Sequence, residues 1–215
     1  MALIMHFIRV PRYKDDVKNR YETLPFKDLQ VINEYFDWKR FRALGQTDCY
    51  SLKDWCGVWE DDMPHKYVVN YYADFYNYRK VYNDYDGSLV ESYSIFEDLA
   101  RFVKANQIFN WLIKNVTDGK IDKDYHEISE DNMKKFYKAL KKIRRHATLD
   151  GDGYHVNEED AKENVPVMDD PPVFWGAKEY NELYAEQVVK AYELVDKILC
   201  TTDFEKESIY FVASW

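Results

Sequence analysis

The pattern of apolar residues predicts a strand at each end of the chain. Residues 2–10 read ALIMHFIRV, a short apolar run that Pro11 stops. Residues 208–215 read SIYFVASW, and such β-branched and aromatic residues are typical of a strand. The two predicted strands have similar lengths, so we expect them to pair and to tie down both ends of the chain.

Apolar residues at helical spacing predict several helices between these strands. These are Lys27–Leu44, ending at Gly45; a short helix opened by the capping box SLKD at 51–54 and running through Trp55 and Trp59; Ser94–Val116, ending at Asp118-Gly119; a helix capped by Ser129 with Met133, Phe136, Leu140 and Ile143 inward; and Lys178–Leu199. Residues 149–156 predict a tight turn with a hairpin, and Asp169-Asp170-Pro171-Pro172 predicts a stiff linker. The tyrosine-rich stretch 64–85 fits either an amphipathic helix or aromatic loops.

Together these elements predict an α+β fold, in which several helices pack a small sheet that includes both terminal strands. The 19 Tyr and 12 Phe of the 215 residues predict an aromatic-rich core. The length fits a single domain, 1–215, with residues 11–90 as a helical elaboration and residues 146–172 as a loop and hairpin region.

Charge is distributed unevenly along the chain. Residues 1–145 carry 25 Lys and Arg against 23 Asp and Glu, whereas residues 146–215 carry 5 against 16. The overall net charge of −9 argues against nonspecific nucleic-acid binding. The acidic last third either steers the protein to a basic partner or serves only solubility.

The sequence also bears on the compartment. It has no run of 18 apolar residues and no signal-peptide pattern, so we expect no membrane association and a cytoplasmic location. The odd number of cysteines, Cys49, Cys56 and Cys200, favours reduced thiols.

Familiar catalytic and cofactor motifs are missing from the sequence. There is no GxGxxG, phosphate-binding loop, GxSxG or HExxH, and DGDG at 150–153 departs from a calcium loop at His155 and Ala161. We therefore expect no metal, no cofactor and no catalytic residues, and we lean away from an enzyme.

Polar residues inside the apolar stretch 101–115, RFVKANQIFNWLIKN, are the first candidate site. Asn106 lies on the predicted core stripe and must find hydrogen-bond partners, whereas Lys104 can extend to solvent. Asn106 either ties down a neighbouring loop or points with Lys104 into a ligand pocket. The candidate ligand-binding residues are Lys104, Asn106, Trp111, Tyr180, Tyr184 and Ser214.

Two surfaces are candidates for macromolecular contact. The first is a protein-interaction surface, since tyrosines are favoured anchors and carboxylates attract basic partners. Its predicted members are Tyr71, Tyr72, Tyr76, Tyr78, Asp160, Asp169 and Asp170. The second is the basic face at 134–145, which either binds RNA or phosphate or is simply solvated; we expect direct nucleic-acid binding to be the less favoured of these.

Four segments carry a resemblance to a known family. They are MALIMHF (1–7), RFVKANQIFNWL (101–112), VFWGAKEYNELYAEQ (173–187) and YFVASW (210–215). In this order they resemble MGLDMYL, YWRKANxIHxWF, FFFGSTxYDExYxED and YYQSSW of an uncharacterised family of small proteins of phages and prophages of Gram-positive bacteria. The resemblance spans both ends and most of the second half, but not residues 11–90.

Departures from the family pattern fall on its polar positions. Where the family has Asp, Arg, His, Ser/Thr, Gln and Ser, this chain has Ile4, Val103, Phe109, Ala177/Lys178, Val212 and Ala213. If the four segments converge, the resemblance implies a polar pocket in relatives that has lost its acid/base and anion-binding groups here.

These observations lead to a functional hypothesis with one alternative. The resemblance implies a phage or mobile-element accessory protein, and the charge asymmetry favours one that acts by binding. We expect an anti-CRISPR-like inhibitor of a host defence protein or nuclease complex. The alternative is a nucleotide or small-ligand protein, a sponge or a hydrolase, with a pocket around Lys104 and Asn106.

Overall fold

The computed structural model describes residues 2–58, 63–82, 89–145, 148–150 and 153–215. The chain divides into two compact units. The first unit comprises Met1–Ile8, Leu99–Phe204 and Ile209–Trp215, and the second comprises Arg9–Asp98 and Glu205–Ser208. The second unit includes residues 11–90, which we expected to form a helical elaboration, but strands occur there as well as helices.

Helices and strands occur largely in separate runs along the chain, in an α+β arrangement, as the sequence predicts. The strands are β1 (Ile4–Pro11), β2 (Tyr13–Asp15), β3 (Arg20–Glu22), β4 (Asn77–Tyr82), β5 (Leu89–Ser94), β6 (Glu97–Val103), β7 (His126–Ile128), β8 (Thr148–Asp150), β9 (Gly153–His155) and β10 (Glu207–Ser214). The helices are α1 (Phe26–Ala43), α2 (Leu52–Cys56), α3 (Lys66–Ala73), α4 (Asn106–Val116), α5 (Glu130–Arg145), α6 (Glu158–Asn164) and α7 (Glu182–Thr201).

The largest sheet contains both terminal strands. Its order is β6-β1-β10-β7, so β1 and β10 lie side by side, which confirms the predicted pairing of the chain ends. β10 pairs antiparallel with β7, with Tyr210 opposite Glu127. The other described strands form three two-stranded sheets, β2-β3, β4-β5 and β8-β9. The pairing of β8 with β9 confirms the predicted hairpin, whose turn residues 151 and 152 lie outside the described residues.

Helices of the first unit bury their apolar faces in an aromatic-rich core. α5 contributes Met133, Phe136, Leu140 and Ile143, all fully buried, as its periodicity predicts. Ser129 Oγ accepts a hydrogen bond from the backbone N–H of Asn132, which confirms the predicted cap of this helix. The Trp111 and Phe136 rings stack at 4.3 Å between centroids, so α4 and α5 meet through these rings.

The prediction of one helix over Ser94–Val116 is wrong in its first half. Residues 97–103 form the strand β6, and only α4, from Asn106, is helical. Lys104 between them has φ of +58°, a left-handed backbone that an α-helix cannot contain. The apolar residues of this stretch fit both periods, and Ala100 and Phe102 are buried as alternate strand residues.

In the second unit, the end of α1 and the start of α2 have well-defined caps. After α1, Gly45 has φ of +65°, and the backbone N–H of Gln46 donates to the carbonyl oxygen of Phe41, closing a Schellman motif at the predicted stop. Ser51 and Asp54 form the predicted reciprocal capping box of α2. That helix ends at Cys56, and Trp59, which we placed in it, lies outside the described residues.

The tyrosine-rich stretch contains both a helix and a strand. Residues 66–73 form α3, residues 77–82 form β4, and residues 83–85 lie outside the description. The strand was not among our alternatives, because Tyr78 and Tyr82, which are four residues apart, fit helical and extended spacing alike. Throughout the described ranges, no helix has the length and apolar character needed to cross a membrane.

Candidate interaction surface

The four segments that carry the family resemblance meet in the first unit. The backbone N–H of Lys104 donates to the carbonyl oxygen of Leu3 at 2.8 Å, and Ala105 forms an isolated β-bridge with Gly176. The ring of Trp215 lies 5.2 Å from that of Trp175, between ring centroids. This confirms the expectation that the segments converge, and it makes the start of α4 the meeting point.

Asn106 occupies the centre of this meeting point with both polar atoms paired. Its Nδ2 donates to the carbonyl oxygen of Ala177 at 2.6 Å, and its Oδ1 accepts from the backbone N–H of Met168 at 2.9 Å. The side chain is fully buried, so these bonds replace the water that it has lost. The first interpretation, a buried amide that ties down a loop, is confirmed.

Two further side chains fix the same loop. Asn110 Nδ2, one turn along α4, donates to the carbonyl oxygens of Pro166 and Val167, at 3.0 and 3.2 Å. The hydroxyl of Tyr184 on α7 donates to the carbonyl oxygen of Val165 at 2.8 Å, and burial raises the pKa of that hydroxyl well above its usual value. We call residues 165–177, which these side chains hold, the clamped loop.

Gly176 allows the clamped loop to approach the chain before α4. Its φ of +124° suits glycine, and a Cβ placed there would lie 1.7 Å from the carbonyl oxygen of Lys104. No side chain fits in that space. The glycine that the third family motif shares with this chain is therefore required by the backbone contact.

Polar and aromatic side chains are displayed by the clamped loop. Asp169 and Asp170 are exposed, and the ring of Phe174 is 44% exposed. Asp170 has φ of +44°, so the turn that presents the two carboxylates adopts a left-handed conformation. An exposed aromatic ring beside carboxylates is suited to a protein contact that has an apolar anchor and a charged rim.

Acidic residues surround the clamped loop on both sides in sequence. Residues 157–182, comprising α6, the clamped loop and the start of α7, contain eight carboxylates and two lysines. Asp160, a predicted contact residue, is half-buried in the first turn of α6, where its backbone N–H is capped by Asn157. We call this segment the acidic surface.

A polar cleft of about 480 Å³ opens on the acidic surface. It is lined by Glu158, Lys162, Lys178, Glu179, Tyr180 and Asn181. Tyr180 packs edge-on against Tyr184 with 5.0 Å between ring centroids, and the Lys162 ammonium lies 5.7 Å from its ring centroid. Lys162 also pairs with Glu158 at 2.5 Å, so the charges in this cleft largely compensate one another.

The remaining predicted ligand-binding residues do not share a pocket with Asn106. The Lys104 side chain is exposed, Trp111 is buried against Phe136, and Ser214 is exposed at the end of β10. The two polar atoms of Asn106 are already taken by backbone groups. The structure thus brings Asn106, Tyr180 and Tyr184 to the surroundings of the clamped loop, without assembling the six residues into one site.

Apolar side chains fill several positions where the family pattern is polar. Phe109 is fully buried, with its ring centroid 5.7 Å from that of Trp175, while Ala177 and Ala213 are also buried. The Nε1 of Trp175 is buried and has no hydrogen-bond partner within the described ranges of the chain. At these positions the chain forms a largely aromatic core instead of a polar pocket.

The tyrosines proposed as contacts are mostly used inside the second unit. The hydroxyls of Tyr71 and Tyr72 donate to the carbonyl oxygens of Arg12 and Pro11, at 2.8 and 2.9 Å, and burial raises the pKa of Tyr71 to about 12. Tyr76 donates to Asp37 at 2.5 Å. Of the four, Tyr78 is the one that is largely exposed, at 60%.

A larger cavity of about 800 Å³ lies among helices of the second unit. Among the residues that the structure describes, which do not include 59–62, its lining is aromatic, aliphatic, polar and cationic and contains no carboxylate: Tyr35, Trp38, Lys39, Leu52, Met63, Pro64, His65, Lys66, Val69 and Asn70. Trp38 is fixed by a hydrogen bond from its Nε1 to the carbonyl oxygen of Cys49 at 3.1 Å. Such a cavity has the size and the mixed lining of small-molecule sites.

Sequence reasoning missed this cavity. It also missed that Asn110 holds the clamped loop and that Phe174 is exposed on it. Asn110 follows Asn106 by one helical turn, and that spacing on an apolar helix was the available signal. Among the described residues, no three His, Cys, Asp or Glu side chains are grouped closely enough to hold a metal ion.

Comparisons with protein-family models, with curated proteins and with solved structures give no match for this chain.

Proposed function

We propose that this protein acts by binding another protein through the clamped loop and the acidic surface around it. The observation that carries the proposal is the fixation of an exposed loop by buried side chains, namely Asn106, Asn110 and Tyr184. A loop held in one conformation before binding loses less conformational entropy when it binds. Buried amides that fix a loop with exposed carboxylates therefore favour its use as a recognition surface.

Charge gives the chemistry of the partner. The acidic surface carries eight carboxylates against two lysines, which favours a basic protein surface and speeds its encounter. Phe174, 44% exposed, supplies an aromatic anchor. A nucleic-acid-binding groove of a nuclease is one basic surface of this kind.

The biological setting of the proposal comes from the resemblance to phage and prophage proteins. A phage accessory protein that binds a basic groove would block a host nuclease, so we propose a non-enzymatic, anti-CRISPR-like inhibitor of a host defence complex. The order of the four motifs and their convergence at the start of α4 support this setting.

A cleavage assay with purified CRISPR nuclease complexes of Gram-positive hosts tests the proposal. We expect the protein to inhibit cleavage by at least one complex, and the triple variant D169K/D170K/F174A to lose about tenfold or more of that inhibition, since it removes an anchor and reverses two rim charges. A direct binding measurement on the same complex should show the same loss.

The matched control is E186K/E193K. Both residues are exposed on α7 outside the clamped loop, and the change in charge is the same as in the loop variant. Equal losses in the two variants would reduce the effect to net charge and contradict the proposal, as would the absence of inhibition and of any captured defence protein from host lysate.

A second candidate function is binding of a small planar anion in the 800 Å³ cavity of the second unit. In the described part of its lining, Tyr35 and Trp38 supply aromatic rings, Lys39 and Lys66 supply positive charge, and there is no carboxylate. This combination suits a nucleotide, whose base stacks on aromatic rings and whose phosphate pairs with cations.

Calorimetric titration with adenosine monophosphate, adenosine and inorganic phosphate tests this candidate. We expect the nucleotide to bind more tightly than either fragment, and K39E/K66E to weaken it while K27E, an exposed position near the start of α1, leaves it unchanged. Failure of the nucleotide to bind at millimolar concentration would remove the candidate.

A further inference from the structure

α5 carries an uninterrupted band of cations opposite its buried face. Met133, Phe136, Leu140 and Ile143 point into the core and are fully buried. At about 100° per residue, six cations fall within an arc of about 120° centred on the opposite side. These six residues are Lys134, Lys135, Lys138, Lys141, Lys142 and Arg145, and we call them the cationic arc.

Most of the cationic arc has no acidic partner among the residues that the structure describes. Lys134 pairs with Glu130 at 2.7 Å, and the Lys141 ammonium lies 5.3 Å from the ring centroid of Tyr137. No carboxylate of the described residues forms an ion pair with Lys135, Lys138, Lys142 or Arg145. The sequence 134–145 itself contains no Asp or Glu, and the carboxylates of α5, Glu130 and Asp131, are confined to its first turn.

The dimensions of the cationic arc suit a phosphate backbone. Lys134 and Arg145 are eleven residues apart in sequence, which is about 16 Å along a helix. One strand of duplex DNA presents a phosphate about every 3.4 Å along its axis, so the arc runs beside about five phosphates. Long lysine side chains allow each cation to adjust to the nearest phosphate.

The composition of the cationic arc favours a nucleic-acid duplex over a protein, a membrane or a single strand as its partner. Protein interfaces have an apolar or aromatic centre, and the cationic arc contains none. Insertion into a membrane needs an apolar helix face, and the apolar face of α5 is buried in the core. Single strands are bound by stacking on exposed aromatic rings, and no aromatic residue lies on the arc.

We propose that the cationic arc of α5 binds the phosphate backbone of double-stranded nucleic acid without reading its sequence. The net charge of −9 does not prevent this, because charges beyond a Debye length of about 8 Å are largely screened at physiological salt. The arc does not include any residue of the acidic surface, so this inference is independent of the proposed inhibitor function.

Fluorescence anisotropy with a labelled duplex of about 20 base pairs tests the inference, measured over a range of salt concentrations. With four to six phosphates contacted, the slope of log K against log salt is expected to be about −4 to −5. The neutral variant K138Q/K142Q removes two contacts, so its slope should become less steep by about 2 and its affinity should fall about tenfold or more near 100 mM salt.

The matched control is K27Q/K197Q, which removes two exposed lysines outside α5 and should leave affinity and slope unchanged. Urea unfolding midpoints should be equal for the wild type, K138Q/K142Q and K27Q/K197Q, because all four substituted side chains are exposed. If the midpoint of K138Q/K142Q falls, K135Q/R145Q replaces it as the variant of the cationic arc.

Three results would overturn the inference. One is no duplex binding at about 50 mM salt. Another is equal loss in the arc and control variants. The third is tighter binding of single strands, of vesicles containing phosphatidylserine or of polyglutamate than of the duplex, since the arc would then serve another polyanion.

Discussion

Asn106 uses both ends of its amide to hold backbone groups of the clamped loop, and this gives the residue a structural task that only a short amide fits. Aspartate lacks the donor for Ala177, and leucine lacks both the donor and the acceptor. The neighbouring Lys104 contributes through its backbone, with its side chain in solvent. Two polar residues of one motif, separated by Ala105, therefore have opposite sensitivities to substitution.

Asn106→Ala should destabilise the first unit by about 2–3 kcal/mol, because it leaves the Ala177 carbonyl and the Met168 N–H buried without partners. Lys104→Ala should change the free energy of unfolding by no more than about 0.5 kcal/mol. Urea unfolding curves of the two variants measure both values. A larger effect for Lys104 than for Asn106 would contradict the assignment and would restore the pocket interpretation.

Asp122 gives the first unit a predictable response to acid. Burial alone would raise its pKa, but the ammonium of Lys120 at 2.6 Å and the Nε2–H of His126 at 2.7 Å hold the pKa of this carboxyl well below its usual value. The folded pKa lies below the unfolded one, so the stabilisation is complete above the unfolded pKa near 4 and is lost as the pH falls through the lower folded value.

Asp122→Asn should therefore lower stability at neutral pH, and the difference from the wild type should shrink as the pH falls below about 4. Urea midpoints measured at several pH values give this dependence. Asp124→Asn, at a more exposed neighbour that also pairs with Lys120, serves as the comparison and should have the smaller effect. A difference that does not change with pH would show that the Asp122 carboxylate is not responsible.

At the scale of elements, the contact between the clamped loop and the turn before α4 is the least tolerant junction of the first unit. Gly176→Ala would place a Cβ 1.7 Å from the Lys104 carbonyl oxygen at a φ of +124°. Overpacking and backbone strain together should cost about 3–5 kcal/mol. Thermal or urea unfolding measures the loss.

Gly119→Ala is the matched control for this prediction. Gly119 also has a positive φ, +88°, but a Cβ there would meet nothing within 4 Å. Only the conformational strain of about 1–2 kcal/mol remains. Equal losses at the two positions would mean that the loop can move away from Lys104.

The sequence predicts those elements whose signals are local. α1, α5 and α7 were found because their caps and apolar periods lie within each helix, and β10 because its residues are strongly β-forming. The boundary inside 94–116 was missed because it depends on the backbone of one residue, Lys104, which pairs with Leu3 about a hundred residues away. No propensity reports such a pairing.

The candidate site was predicted only in part for the same reason. Burial of Asn106 on an apolar helix implied partners, and the partners were found in a loop. Which loop they belong to is fixed by packing between segments about seventy residues apart, and the exposure of Phe174 follows from that packing. Composition marked residues 146–215 as acidic without indicating that a loop among them is held by buried side chains.

At the scale of the whole molecule, the main sheet depends on contacts between the two ends of the chain. β10 lies between β1 and β7, so the last strand supplies hydrogen bonds to both neighbours. The sheet cannot be completed before the last residues are available. Long-range pairing of this kind slows folding because loop closure precedes the gain in contacts.

Deletion of residues 207–215 should abolish cooperative unfolding of the first unit, since it removes β10 from the middle of the sheet and buried side chains such as Phe211 from the core. Near-ultraviolet circular dichroism during urea titration gives the test. Deletion of Trp215 alone, which follows the strand, should preserve a cooperative transition. A cooperative transition in the longer deletion would show that the sheet forms without its central strand.

Trp175 and Trp215, whose ring centroids are 5.2 Å apart, give the molecule a built-in optical probe. One indole belongs to the clamped loop and the other is the last residue, so their electronic transitions couple only while the loop is docked. An exciton couplet in the far-ultraviolet dichroism spectrum, where indole has its strongest transition, would report that docking without a label. Its amplitude would follow the loop during partner binding, temperature change or mutation, while the other tryptophans contribute a constant background.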